Sequence, residues 1–497
     1  MPIPLTEKQE ASSLLSRALR KVFSFPAAIA GVLCVLAVLT ARGRFNDPDM
    51  WWHLKTGQLI WTTGSLPTVD PYSFTALGQR WIPHEWLSQV ALYGAYRLGG
   101  YSGMMAAFCC LSAALLVAGY ALCAMYSRNV KVAFIGAFAL FLFATSGFSI
   151  RPQLLGYLLL IVEMIVLHLG RCRNPRWFLA LPPLFALWVN CHGSFFLGLI
   201  IAGTLLLSSF FHFETGSLIA EPWNPRRRQL LSLALTLSAA ATLVNPIGIK
   251  LVLFPLDTIF HQPLGLAMVQ EWQPLQLSSQ RGIILLAVLG IIFLWLVLSK
   301  AVLYLDELLL LALGVWLAGS HVRMLFGFGI LAAPILARML AGSWGGYRAE
   351  SDRPMANAIL LAVSAIAIYF AFPGMHDLDH QIEAQNPVKA VEFVRSHHLT
   401  GPMLNEYSYG GYLIWAAPES PVFIDGRSEI YEWSGLLTQF MQWTTLQGDP
   451  SALLDRYKVQ TCLLSAQSPM AHVLPLLHGW QSVYSDGNSI VFERTQN

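Results

Sequence analysis

Charge is scarce in this sequence. Asp, Glu, Lys and Arg make up 12% of its 497 residues, about half the share of an ordinary soluble domain. Hydrophobic residues make up 55%. That balance excludes a soluble globular enzyme and a disordered chain, and leaves a polytopic α-helical membrane protein. The 31 basic and 28 acidic residues are too evenly matched for a nucleic-acid binder, so no nucleic-acid partner is expected. Cysteine is sparse as well. Of the 7 present, none is spaced as CxxC and most lie in apolar runs. They read as packing thiols, against a disulfide framework or a zinc site. No Walker loop, dinucleotide fingerprint or GxSxG elbow occurs. No internal repeat is evident, which weighs against a transporter built from inverted repeats.

Apolar runs are what the sequence has in quantity. A crossing takes ~20 apolar residues, and about eleven runs read as spans: 23–41, 102–126, 130–148, 154–169, 177–190, 194–212, 230–244, 282–299, 303–319, 324–341 and 355–372. The shorter ones read as half-helices or tilted ends. The first run follows Lys8, Arg17, Arg20 and Lys21 and lacks a small-residue cleavage site, so it reads as an uncleaved anchor. With the N-terminus cytoplasmic, Lys and Arg are roughly threefold denser in the inner segments than in the outer ones, as orientation rules require. The inner set includes Arg171, Arg173, Arg176 and the run Arg226-Arg227-Arg228. An odd number of spans places the C-terminal region outside. Residues 1–372 therefore read as the transmembrane domain, with a long first outer loop at 42–101. Residues 373–497 read as a small extracytoplasmic α/β domain with its own core.

The first outer loop carries Asp47-Pro48-Asp49-Met50-Trp51-Trp52-His53-Leu54 and, further on, His84-Glu85-Trp86. A connection of about 60 residues is long for a helix pair, and such loops are usually functional. Residues 49–62, rich in tryptophan, suit a helix lying in the headgroup plane, and 84–97 suit a second. Asp47 and Asp49, in a turn held by Pro48, can aim both carboxylates into one cavity. There they can bind a divalent cation or act as a general base. The competing reading makes Asp49 a helix cap and Asp47 a solvated acid. Glu85 reads either as a functional acid or as a first-turn helix residue. Asp70-Pro71 reads as a turn.

Polar groups recur at the outer ends of other spans: Arg151-Pro152-Gln153, Asn190-Cys191-His192-Gly193-Ser194, Glu271-Trp272 and Ser320-His321-Val322-Arg323. A charge at mid-bilayer costs ~3 kcal/mol or more, so such groups gather at the interface or line a wet cavity. Singly, Arg151 and Arg323 read as snorkelling side chains and His192 as a turn histidine. Together with Asp47, Asp49, Glu85 and Glu271 they give one face bearing both cations and carboxylates. That suits a substrate with a phosphate beside a reacting carbon. Glu163, inside a span, reads either as a functional acid or as a hydrogen-bonded structural one.

In the C-terminal region, short apolar runs at 401–405, 421–425, 459–464, 480–485 and 489–493 read as strands, with helical patterns between several of them. Asp425-Gly426-Arg427 follows one of these runs, at a strand end where ligands of open α/β sheets bind. The same pair also reads as a structural turn closure.

The whole arrangement resembles the GT-C superfamily of membrane glycosyltransferases, which use lipid-linked sugars. It looks most like a group of bacterial members that share the Asp47–Leu54 run and the His84-Glu85-Trp86 motif. More distantly it is similar to the catalytic subunit of oligosaccharyltransferase. Phe45-Asn46-Asp47-Pro48-Asp49 looks like that family's first-loop acidic motif, and Met268-Val269-Gln270-Glu271 like its outer-loop motif ending in Glu. Glu406-Tyr407-Ser408-Tyr409-Gly410, followed by Phe423-Ile424-Asp425-Gly426, looks like its WWDYG motif and the stretch after it. Two departures stand out. The sequon-reading Trp-Trp-Asp is here Glu406-Tyr407-Ser408, and the second acidic motif is replaced by Ser149-Ile150-Arg151-Pro152-Gln153.

The resemblance implies transfer of a sugar from a polyprenyl-phosphate donor to an acceptor, whether glycan, lipid or protein. It places the reaction on the outer face of the bacterial inner (plasma) membrane, with a periplasmic C-terminal domain. On this reading Asp47, Asp49, Glu85 and Glu271 are the catalytic acids. His53, His84, Arg151, Asn190, His192, Arg323, Tyr409, Asp425 and Arg427 bind substrate. Asp47 and Asp49 are the candidate ligands of a divalent metal (Mg or Mn). Two other functions stay open: a non-enzymatic transporter or flippase of a lipid-linked glycan, and a structural membrane protein of an envelope assembly.

Overall fold

The computed structural model describes residues 20–145, 147–262, 265, 270–299 and 301–495. Lys8 and Arg17 of the basic N-terminus, and Met268 and Val269 of the outer-loop motif, lie outside the described residues. Every apolar run read from the sequence coincides with a helix. In chain order the helices are α1 (Phe25–Ala41), α2 (Asp49–Thr63), α3 (Trp86–Ser127), α4 (Val130–Ala144), α5 (Gln153–Cys172), α6 (Leu181–Cys191), α7 (Phe195–Ser208), α8 (Pro225–Ala241), α9 (Ile249–His261), α10 (Gln280–Leu298), α11 (Leu305–Ser320), α12 (Leu325–Leu340) and α13 (Pro354–Ala371). Among the described residues five segments are long and apolar enough to cross a membrane: α3, α5, α10, α13 and Val322–Leu340, which contains α12. Three more, α1, α4 and α7, are apolar but shorter. The eleven runs are thus helices of unequal length. The 11 residues of α6 fall well short of the ~20 that a full crossing takes.

The long helix α3 is two helices joined at a break. Gly99 and Gly100 leave helical geometry, and Gly100 takes φ +58, a left-handed conformation that costs glycine little. The break separates the 84–97 segment from the 102–126 span, as the sequence predicts. A hairpin also pairs Phe213–Thr215 (β1) with Leu218–Ala220 (β2), and β2 runs parallel to Leu303–Tyr304 (β3). No sequence signal pointed to this small sheet.

Helix α2 differs from expectation. Its tryptophans suit the headgroup plane, yet Met50, Trp51 and Leu54 are fully buried and Trp52 nearly so, while Trp61 is half exposed. The cover is protein. Trp51 meets Phe45, Tyr101 and Tyr412 edge-on, with centroids 6.3, 5.7 and 5.2 Å away. On another face Gly57 touches the first half of α3 so closely that a Cβ would lie 2.0 Å from the Gln89 carbonyl oxygen. The helix is therefore sandwiched between α3 and the C-terminal region.

That region begins with α14 (Met375–Gln385) and α15 (Val388–Ser396). Its sheet has the order β4-β5-β7-β6, with β4 (Met403–Asn405) parallel to β5 (Thr461–Ser465). The strands β6 (Trp480–Ser485) and β7 (Ser489–Arg494) form an antiparallel pair, and β7 also runs antiparallel to β5. The 421–425 run is not a sheet strand, although Val422, Phe423 and Ile424 are fully buried. Its backbone is satisfied elsewhere. Val422 exchanges hydrogen bonds with Tyr72 and Phe74 of the first loop, and the Asn405 side chain serves Phe423 N and Ile424 O.

A buried ion cluster locks this run to the first loop. Arg427, with no exposed side-chain surface, donates Nη1 to Asp70 Oδ1 and Nη2 to Asp425 Oδ2, each at 2.6 Å. Its guanidinium lies 4.9 Å from the Tyr72 ring and 4.7 Å from the Trp81 ring. Asp70 also accepts from the Tyr72 and Ser73 amides, and Tyr431 donates to Asp425. The predicted turn at Asp70 is real, and it serves as one jaw of the lock. Removing one member of such a buried set typically costs about 3–5 kcal/mol, because the others are left as uncompensated charges. Arg427→Met should lower the unfolding temperature in detergent and expose the 373–497 region to limited proteolysis before the membrane helices unfold. An unchanged melt and digestion pattern would refute the lock.

Candidate active site

Charge converges where the start of α2, the start of α3, the start of α5, the α6–α7 turn and the Gln270–Trp272 turn meet. Asp47 precedes α2 and is nearly buried, and its Oδ1 accepts the Asp49 amide at 3.0 Å. Asp49, in the first turn, accepts from Trp52 Nε1 at 3.1 Å. Their other oxygens face Arg151, which stands just before α5. Its Nε is 2.5 Å from Asp47 Oδ2 and its Nη2 is 3.3 Å from Asp49 Oδ2. Glu271 Oε2 lies 3.5 Å from the remaining nitrogen, Nη1. Each nitrogen of one guanidinium thus faces a different carboxylate. Burial opposes the charged Arg151, but Asp49, Asp47 and Glu271 more than offset it and raise its pKa. Burial also raises the Asp49 carboxyl. Arg151 and the Trp52 N–H oppose that rise, and the neighbouring Asp47 adds to it.

Beside this group lies a second, built around the buried Glu85. Three imidazole Nε2 atoms surround its carboxyl: His192 at 3.3 Å, His53 at 3.7 Å and His84 at 3.8 Å. His192 Nδ1 accepts the Ser194 amide at 3.1 Å. Its Nε2 therefore carries the proton and points at Glu85. His53 Nδ1 is 3.1 Å from Gln89 Nε2, and the His84 ring stacks on Phe254 at 4.2 Å. Burial pushes Glu85 up to about 8, with Arg323 and Arg151 pulling the other way and Asp49 and Glu429 adding to the rise. Burial likewise lowers His84 to about 4, and takes His53 and His192 well below the usual histidine value. Near neutral pH the cluster is a protonated acid among neutral rings.

Arg323 completes the site. Its guanidinium lies 5.5 Å from the Trp272 ring, and its carbonyl accepts from Tyr157 Oη at 3.0 Å. No carboxylate pairs with it among the described residues. Its charge reaches both groups, lowering Glu85 and all three histidines. Next to the site, α3 and the start of α5 enclose a hollow of about 130 Å³. Its walls are apolar except for Ser88 and Arg151.

Four of the residues expected to bind substrate stand elsewhere. Asn190 holds helices together, accepting from Trp86 Nε1 at 2.8 Å and donating to the Ala186 and Val244 carbonyls. Tyr409 donates to the Asn488 carbonyl at 2.8 Å. Asp425 and Arg427 are engaged in the buried lock. Gly426 between them does reach the site, since a Cβ there would lie 2.0 Å from Asp49 Oδ1. Sequence reasoning missed two site residues. Glu429 accepts from Trp81 Nε1 at 3.3 Å, and burial carries it up to about 7. Burial also raises the Tyr407 phenol, with Asp49, Asp425 and Glu429 adding to it. The available signals were the two-residue distance of Glu429 from the Asp425-Gly426-Arg427 motif and the place of Tyr407 inside the Glu406–Gly410 segment. Glu163, inside α5, is fully buried and neither carboxylate oxygen has a hydrogen-bond partner among the described residues.

The metal expectation meets a geometric obstacle. Asp47 and Asp49 direct their free oxygens at Arg151, and the others already accept N–H groups. Among the described residues no group of three or more His, Cys, Asp or Glu is arranged to hold a metal ion.

No family model matches the chain, and no curated protein matches it. Solved structures do. The oligosaccharyltransferase of Archaeoglobus fulgidus in its apo form aligns at 11% identity over 89% of this chain and 69% of that one, with a TM-score of 0.51. AglB from the same organism, in complex with an inhibitory peptide and a dolichol-phosphate, aligns at 13% identity over 94% and 74%, with a TM-score of 0.51. ArnT from Cupriavidus metallidurans, bound to undecaprenyl phosphate, aligns at 14% identity over 93% and 97%, with a TM-score of 0.50. The resemblance read from the sequence holds at the level of architecture: this chain is a multi-pass membrane protein with the fold of the GT-C glycosyltransferases.

Proposed function

We propose that the protein transfers a sugar from a polyprenyl-phosphate donor to an acceptor at the outer face of a bacterial inner membrane. The observation that carries this reading is the gathering of Asp47, Asp49 and Glu271 around Arg151 and of His53, His84 and His192 around Glu85, with Arg151 also on the wall of an apolar hollow. Two of the similar structures are bound to a dolichol-phosphate and to undecaprenyl phosphate. The orientation rests on the distribution of Lys and Arg. It puts the N-terminus in the cytoplasm and the site, with the 373–497 domain, outside.

The geometry divides the labour. In the transfer, the acceptor nucleophile forms a bond to the anomeric carbon while the bond from that carbon to the donor phosphate breaks. The lipid phosphate leaves with the electron pair. Asp49 is the preferred base. It is less buried than Asp47, its raised pKa brings it nearer to the operating pH, and it sits beneath the Gly426 backbone where an acceptor can enter. Asp47 is held by Arg151 and the Asp49 amide, which makes it a positioning residue. The departing phosphate falls to Arg323, since Arg151 is engaged by three carboxylates. A preorganised cation in a partly dry site can supply several kcal/mol of transition-state stabilisation. The neutral Glu85–histidine cluster adds donor groups without adding negative charge. The hollow between α3 and α5 takes the first isoprene units, and the C-terminal domain presents the acceptor.

Asp49→Asn, purified with its fold intact, should lower sugar turnover from a lipid-phosphate donor in vesicles by about 10²–10⁴-fold, the usual contribution of a general base. Full activity would remove Asp49 from the mechanism. Glu85 gives a separate test. A group whose folded pKa is raised stabilises most below its unfolded value and loses that contribution as pH rises through the folded one. For Glu85 the window runs from about 4.5 to about 8. Wild-type unfolding temperature should therefore fall across that window relative to Glu85→Gln, which stays neutral throughout. Parallel profiles would show that Glu85 is already ionised in the folded protein.

A further inference from the structure

We propose that Arg151 occupies the place of a divalent cation, so that the carboxylate cluster at the site is bridged by a side-chain cation and works without metal. Asp47, Asp49 and Glu271 offer the oxygen ligands that a hard cation takes, although as they stand no three acids among the described residues are arranged to hold one. Here the guanidinium is already inside it, with its three nitrogens 2.5, 3.3 and 3.5 Å from the three carboxylates. The remaining oxygens of the aspartates are engaged as well. Asp47 Oδ1 accepts the Asp49 amide and Asp49 Oδ1 accepts Trp52 Nε1. Among the described residues, Glu271 alone of the three acids keeps an oxygen without a partner. A magnesium-sized ion demands near-octahedral oxygen coordination at about 2.0–2.1 Å, which these atoms cannot assemble around a resident arginine. A cation entering the cluster would also meet a like charge at contact distance. The guanidinium is planar and does not lose its proton in proteins, so it supplies a fixed charge that neither chelation nor acid removes.

Position supports the assignment. Arg151 comes from a different chain segment than any of the acids it meets, just ahead of α5, and its side chain is mostly buried. Simple snorkelling would place the guanidinium in solvent. The consequence for mechanism rests on the glycosyl-transfer reading, but the cation site itself does not.

The test is manganese titration of the detergent-solubilised full chain, read by loss of the free Mn²⁺ electron paramagnetic resonance signal and by unfolding temperature. The wild type should leave both readouts unchanged up to millimolar Mn²⁺. Arg151→Ala should open the cluster, bind Mn²⁺ saturably at least about tenfold more tightly than the wild type, and melt higher when Mn²⁺ is present. Arg151→Gln, which keeps donors but no charge, serves in the same way if the alanine variant fails to fold. The proposal is overturned if the wild type binds Mn²⁺ and Glu271→Gln abolishes that binding, or if a folded neutral variant gains none. A failure of the transfer reading would appear as absent sugar turnover and would leave these titrations as they are.

Discussion

The architecture of the site depends on one guanidinium. Asp47 and Asp49 belong to the chain leaving α1, Arg151 to the turn entering α5, and Glu271 to the short turn before α10. Three carboxylates within reach of one another in a partly dry pocket repel strongly, because the attraction or repulsion of charges grows as water is excluded. Arg151 converts that repulsion into cohesion and sets how closely the three segments approach. Its single charge does not balance three acids. The excess negative charge is eased by Arg323, which lowers the pKa of Asp49, and by the retained proton on Glu85. The site is thus built around a charge deficit that a second, unpaired cation partly meets.

A comparison of the two arginine clusters shows why one is a fastener and the other a candidate reaction centre. Arg427, Asp70 and Asp425 are wholly buried, and aromatic rings lie close to the guanidinium. Nothing is left over to meet a ligand. Around Arg151 exposure rises from Asp47 to Asp49 to Glu271, so the group opens toward solvent on one side. Gly426 joins the two. Its lack of a side chain lets the locked loop come to rest on Asp49, and Gly411 allows a similar approach to the Pro48 carbonyl. Any motion of the C-terminal domain would therefore be felt first at the proposed base.

Much of this was legible in the sequence, for definite reasons. Apolar helices declare themselves by composition, so each run coincides with a helix. Yet five segments among the described residues are long and apolar enough to cross a membrane, and the Gly99-Gly100 break in α3 was not read from the sequence. The convergence of Asp47, Asp49, Glu85, Arg151, His192, Arg323 and Glu271 followed from the cost of placing charge in lipid. What sequence could not supply was the identity of the cover. Trp51 and Trp52 look the same whether their neighbours are headgroups or the Tyr412 ring. Nor does a local pattern reveal a partner hundreds of residues away. The Asp425-Gly426-Arg427 turn looked like a ligand site because Asp70 was absent from view, and Glu429 went unnoticed because Trp81 was. The 421–425 run had strand composition, but its hydrogen bonds went to the first loop and to Asn405 instead of to a sheet.

Glu85 shows how burial can change what an acidic residue contributes. An ionised carboxylate about 4 Å from a phosphate charge would oppose it by about 4 kcal/mol at the effective dielectric of such sites, close to a thousandfold in binding. Burial moves the Glu85 pKa to about 8 and so removes that penalty near neutral pH. The same burial keeps His53, His84 and His192 uncharged, which spares Glu85 the ion pairing that would pull its proton away. The cluster is self-consistent only as a neutral unit. Ionising Glu85 would call for a protonated histidine beside it, and the positive charges of Arg151 and Arg323 make that protonation unfavourable at His53. On the proposed reading, the pocket therefore separates its tasks by charge state: ionised acids around Arg151 for the acceptor, and an uncharged acid with Arg323 for the phosphate.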